Sequence, residues 1–127
     1  VIELRIVNRK EFLELPNNTV YSKYESSGMI DGLHIKDESY TNDWVYFDLI
    51  CNIKASSDGE LLDKMYKAEN DHAFQIRNNL YCCQRDGFYE KDDMFVIYNN
   101  EDIKALICRL NEVLNKVEEI RETIGEG

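Results

Sequence analysis

The sequence predicts an α+β fold: an antiparallel sheet with a short N-terminal helix, a middle helix and a long C-terminal amphipathic helix, in one domain spanning residues 1–127. Three patterns predict it. From Trp44 to Ile53, the residues Val45, Phe47, Leu49, Cys51 and Ile53 place five apolar side chains on one face at period two, the signature of a strand. From Ile103 onward, apolar residues recur every seven positions, the signature of an amphipathic helix. Extended runs elsewhere are joined by short turn signals, Ser26-Ser27-Gly28 and Arg85-Asp86-Gly87, as in hairpins.

In chain order, Val1 to Val7 reads as a short strand. Asn8, with Glu11 three residues on, forms a capping pair that opens a helix over Arg9 to Leu15, and Pro16-Asn17-Asn18 stops it. Thr19 to Glu25 and Met29 to Lys36 are rich in β-branched and aromatic residues and predict a hairpin. On the strand Trp44 to Ile53, the second face carries Trp44, Tyr46, Asp48, Ile50 and Asn52, half apolar and half polar, a face that a helix, a partner subunit or a ligand could cover. Ser57 and Glu60 form a capping box, and Leu61, Leu62, Met65 and Tyr66 follow at helical spacing, predicting a helix over about 58–68. Alternation resumes from Phe74 to Tyr98, with one strand ending near Gln84 and another covering Met94 to Tyr98.

Asn99 or Asn100 caps the last helix, predicted over about 100–124, and Glu101 and Asp102 complement its positive end. Ile103, Leu110, Val117 and Ile124 form one heptad series and Leu106, Val113 and Ile120 a second, with Ile107 and Leu114 widening the stripe. At ~1.5 Å per residue, a helix of roughly 22 residues is about 33 Å long, more than a small sheet readily covers. Either it crosses the sheet of its own chain or its outer half pairs with a second copy. The length favours a homo-oligomer.

The charge balance narrows the function classes. Acidic side chains number 25 against 15 basic ones, a formal charge of -10, which disfavours nucleic-acid polymers and anionic membrane surfaces as partners. The six arginines are scattered. A solvated surface accounts for the acidity; the sharper alternative is an acidic inhibitor or immunity-type protein that docks on a basic partner. Cys51, Cys82, Cys83 and Cys108 lack the spacing of a zinc site or a disulfide framework, and there is no apolar run of ~18 residues and no secretory leader pattern. A cytoplasmic protein in a reducing compartment is expected.

No catalytic or metal constellation is legible, and neither a cofactor nor a metal is expected. His34 and His72 stand apart from any nucleophile motif, and the glycine-rich phosphate loops and the paired-histidine zinc motif are missing. What remains is a binding vocabulary. Arg85-Asp86-Gly87-Phe88-Tyr89 sets a guanidinium beside two rings at a turn, Asn99 and Asn100 place amides at the entrance to the last helix, and Arg109 lies at the flank of its apolar stripe. Rings stack on bases, amides read base or ribose edges, and arginine clamps phosphate with paired donors. The structural alternative is that turn aromatics close a core edge and Arg109 salt-bridges an acid such as Glu112.

The order of motifs adds a resemblance. The opening Asn8-Arg9-Lys10-Glu11-Phe12-Leu13-Glu14-Leu15-Pro16-Asn17-Asn18-Thr19-Val20-Tyr21 is followed by Gly32-Leu33-His34-Ile35-Lys36, Asn42-Asp43-Trp44, the Arg85 to Tyr89 turn and a closing helix that begins after Phe95-Val96-Ile97-Tyr98. Across the whole chain this order resembles the anti-Thoeris family of phage sponge proteins. The resemblance implies a phage-encoded protein that captures a cyclic ADP-ribose isomer made by a bacterial TIR-domain defence enzyme and holds it uncleaved, in the cytoplasm of the infected cell. It also implies oligomers built from dimers; some members hold cyclic oligonucleotides at a separate site. The family's stacking aromatic, asparagine and helix arginine fall here on Phe88 or Tyr89, Asn99 or Asn100, and Arg109. One turn beyond Arg109 stands Val113, where a second arginine would strengthen the clamp.

Overall fold

The computed structural model of the chain describes residues 1–87 and 92–123. Its elements are β1 (Arg5–Asn8), α1 (Arg9–Leu13), β2 (Thr19–Tyr24), β3 (Ile30–Ser39), β4 (Trp44–Asp48), α2 (Asp58–Asn70), β5 (Cys82–Asp86), β6 (Met94–Tyr98) and α3 (Asn100–Thr123). The strands form one six-stranded sheet in the order β1-β6-β2-β3-β4-β5, and every pairing is antiparallel. The α+β class expected from the sequence is the one observed.

Helix α1 starts where its cap predicts: the Asn8 side-chain oxygen accepts from the Glu11 N–H at 2.9 Å. The short helix lays Phe12 on the sheet, where its ring stacks on Phe95 at 3.9 Å and meets Tyr21 and Trp44 edge-on at 4.7 and 4.9 Å. Val7 and Ile97 complete this core. The Trp44 Nε1–H donates to the Tyr21 hydroxyl at 2.9 Å, so both polar tips of the aromatic cluster are satisfied inside it. Two cations staple the helix down. Arg9 donates to the carbonyls of Asn42 and Gly87 and pairs with Asp93 at 3.3 Å, while buried Lys36 donates to the carbonyls of Leu15 and Asp37 at 2.8 and 3.0 Å. Burial lowers the pKa of Lys36.

Strand β4 differs from the reading of its sequence in two ways. It ends at Asp48, not Ile53, because β3 has Gly32 at φ 74° where the ladder would reach Ile50, and that left-handed residue breaks the extended geometry. Its core face is the mixed one: Trp44 is fully buried and Tyr46 packs against the core, whereas Val45 and Phe47 are half-buried on the opposite face.

The helices leave much of the chain's apolar surface uncovered. Ser57 caps α2 by accepting from the Glu60 N–H at 3.1 Å, yet α2 buries none of its residues, and Leu62 and Tyr66 are exposed. Helix α3 is fixed at its start by a reciprocal cap. The Asn99 side-chain oxygen accepts from the Asp102 N–H at 2.9 Å, and the Asp102 carboxylate accepts from the N–H groups of Asn99 and Glu3, each at 3.0 Å. Beyond its contact with β6, the stripe of Ile107, Leu110, Val113, Leu114 and Val117 faces outward. Among the described residues no helix is long and apolar enough to cross a membrane.

Candidate functional site

The candidate residues fall at separate places in the single chain. Arg85 sits on β5, where its Nε–H donates to the buried Asp43 carboxylate and its guanidinium lies 4.3 Å from the centre of the Tyr40 ring. The Asp43 hydrogen bond raises its pKa further. Asn99 is occupied as the cap of α3, and Asn100 begins that helix on the exposed side. Arg109 pairs on the surface with Glu112 at 3.1 Å, the structural alternative raised by the sequence. Phe88 and Tyr89 lie outside the described residues.

The sheet order keeps these groups apart. Three strands stand between β5 and β6, so Arg85 is roughly 19 Å across the sheet from the start of α3, at about 4.8 Å per strand step. Arg109 is about 15 Å along α3 from Asn99. One chain therefore does not bring Arg85, Asn99 and Arg109 to a common phosphate. Among the described residues Arg109 is exposed and pairs with Glu112.

A polar chain crosses the core side of β3, β4 and β5. His34 Nδ1 is hydrogen-bonded to the Asp48 carboxylate, Gln84 Nε2 donates to the same carboxylate at 3.3 Å, and the Tyr46 hydroxyl donates to Gln84 Oε1 at 3.1 Å. Burial, followed by the nearby Asp48 charge, pushes the Tyr46 hydroxyl up to about 12. The second ring nitrogen of His34 faces Gly32 so closely that a Cβ there would lie 2.3 Å from it. Gly32 is thus the residue type that leaves room for the His34 ring at this point of the sheet. Among the described residues no group of three or more His, Cys, Asp or Glu side chains is placed to hold a metal ion.

Four cavities lined by described residues contain none of Arg85, Asn99, Asn100 and Arg109 in their walls. One of about 310 Å³ opens on the sheet face opposite α1, among Ile35, Phe47, Leu49, Leu80 and Tyr81, and is mainly apolar. Another of about 310 Å³ lies beyond the end of β4, between Cys51, Asn52, Lys54, Arg77, Asn78 and Asn79. Sequence reasoning missed this second one. Its two walls are irregular segments far apart in the chain, and Arg77-Asn78-Asn79 falls within the run read as alternating. The adjacent Asn78-Asn79 pair next to an arginine was the one available signal.

At the back of that cavity the buried thiols of Cys51 and Cys82 are hydrogen-bonding neighbours, and Cys82 also accepts from Gln84 at 3.6 Å. The Cys51 hydrogen bond, with help from Gln84 and Lys54, lowers the pKa of Cys82. Cys51, acting as the donor, is pushed up. Compared with protein-family models, with curated proteins and with solved structures, the chain gives no match.

Proposed function

We propose that this protein is a nucleotide-signal sponge of the anti-Thoeris type. It captures a cyclic ADP-ribose isomer made by a TIR-domain defence enzyme in the cytoplasm of an infected bacterium, and holds it intact in a site completed by a second copy of the chain. The observation that carries the reading is the bare stripe of α3: Leu110 is 70% exposed, Ile107 54% and Leu114 52%, with Arg109 between them. Pairing of two such helices covers the stripe and desolvates Arg109. A guanidinium then exchanges its exposed glutamate partner for phosphate oxygens in a lower-dielectric setting, where charge-assisted bonds are stronger. The resemblance in motif order supports the same conclusion.

The energetics require such an enclosure. A sponge acting on a scarce signal needs a Kd of ~10 nM, about 11 kcal/mol. Phosphate contacts, a ring stack and a few amide bonds, at roughly 1 to 3 kcal/mol each, reach that only where water is excluded. The net charge of -10 slows encounter but does not set the local field at an arginine-lined site.

The test is to incubate the protein with lysate of cells whose TIR defence is active, heat it, and identify what is released by mass spectrometry. The expected result is an intact cyclic ADP-ribose isomer, with a ligand-dependent rise in Tm that Arg109→Ala removes. Release of ligand fragments would turn the reading into that of an enzyme. Salt-sensitive capture of a basic protein, with no thermal response to nucleotides, would replace it by the acidic-inhibitor reading.

A further inference from the structure

We propose that the cavity beyond β4, walled by Lys54, Arg77 and Asn79 over a floor of Cys51, is a binding site for a small phosphate-bearing molecule, which it holds by the phosphate group. The inference does not rest on the sponge reading, because none of these residues lies on α3 and the cavity is complete within one chain.

Its basis is a surplus of hydrogen-bond donors. The Arg77 guanidinium offers five N–H groups and makes no hydrogen bond or ion pair among the described residues. Lys54 adds an ammonium whose side-chain partner is the Cys82 sulfur behind it. The Asn79 side-chain oxygen accepts from the Tyr81 N–H at 2.7 Å, which leaves its NH₂ group as a donor for the cavity. No carboxylate lines this space, in a chain with 25 acidic side chains. Two cations and an amide donor with no acidic neighbour are the complement of an oxyanion.

The walls are also built before any ligand arrives. Asn78 donates to the Cys51 carbonyl at 2.7 Å and accepts from the Asn79 N–H at 2.8 Å, which ties the 77–79 segment to the strand end. Preorganisation of this kind reduces the ordering cost of binding. The floor is compatible with an anion, since Cys51 is the protonated donor of the thiol pair. A volume of about 310 Å³ sits at the lower limit of ligand pockets, which suits a phosphorylated metabolite or pyrophosphate and not a dinucleotide.

Inorganic pyrophosphate is the probe. Titrated at low salt into the ¹⁵N-labelled protein, it is expected to shift the amides of Asn52 to Lys54 and Arg77 to Asn79, with a Kd of about 1 mM or tighter. Arg77→Gln and Lys54→Gln should each weaken it ~10-fold or more, the loss of one charge-assisted contact. Both side chains are exposed, so their Tm values should stay at that of the parent, and Arg109→Ala should bind pyrophosphate normally. A weaker but parallel response to inorganic phosphate would place the selectivity in the phosphate group; a response to pyrophosphate alone would place it in the diphosphate. Shifts scattered over the surface lysines, shifts reproduced by chloride at equal ionic strength, or an unchanged Kd in Arg77→Gln would overturn the assignment. A pyrophosphate site here with no captured messenger would leave this inference standing and remove the sponge reading, and the converse result would do the opposite.

Discussion

At the residue scale, the motifs that carry the family resemblance turn out to hold one corner of the fold together. Asn8 caps α1, Arg9 bridges to the carbonyls of Asn42 and Gly87, Phe12 fills the core, and Trp44 closes it. Gly87 belongs to the same corner: at φ 100°, a Cβ there would lie 2.5 Å from the Trp44 ring. Gly87→Ala therefore combines backbone strain with a clash, and urea unfolding should show a loss of about 2 kcal/mol or more. The tyrosines predict a pH dependence. Tyr46 is pushed up to about 12 and buried Tyr21 is also raised, chiefly by burial, while both ionise near pH ~10 in the unfolded chain. Their stabilising contribution is complete below pH ~10 and is lost as pH rises above it. The Tm should fall from pH ~10 upward, and Tyr46→Phe should flatten that fall; an unchanged slope would show that Tyr46 ionises as easily in the folded state.

At the element scale, the features legible in the sequence were those decided within a few residues. The caps at Asn8, Ser57 and Asn99 are local hydrogen bonds, so residue type and spacing revealed them. The Asn99 cap is reinforced by Asp102, a 3% exposed carboxylate that also holds the backbone of Glu3. Asp102→Ala leaves those N–H groups without their acceptor and should cost roughly 2–4 kcal/mol, measured by chemical denaturation. The buried face of β4 was not legible, because counting apolar residues favours Val45 and Phe47. Trp44 and Tyr21 outweigh them by burying large rings whose polar tips satisfy each other, a pairing set by the register of β2, β3 and β4. The cavity between 51–54 and 77–79 was hidden for a related reason: it is made by two segments outside regular structure, where periodicity carries no signal.

At the scale of the whole molecule, the two longer helices carry exposed apolar side chains. Ile107, Leu110, Val113, Leu114 and Val117 on α3, and Leu62 and Tyr66 on α2, are exposed, and the proposed function has a second copy cover the α3 stripe. Arg85, Asn99 and Arg109 lie at separate places in one chain and do not form the common site expected from the sequence. Leu110→Glu puts a charge at the centre of the stripe and should shift the mass in solution toward monomer at micromolar concentration. Native mass spectrometry of the protein mixed with a cyclic ADP-ribose isomer reads capture and assembly in one spectrum. A sponge of the proposed kind gives a dimer or a multiple of it carrying the messenger at its full mass, with the ligand lost from Arg109→Ala and from Leu110→Glu. A monomer that binds nothing, or an assembly holding only pieces of the messenger, would contradict that proposal.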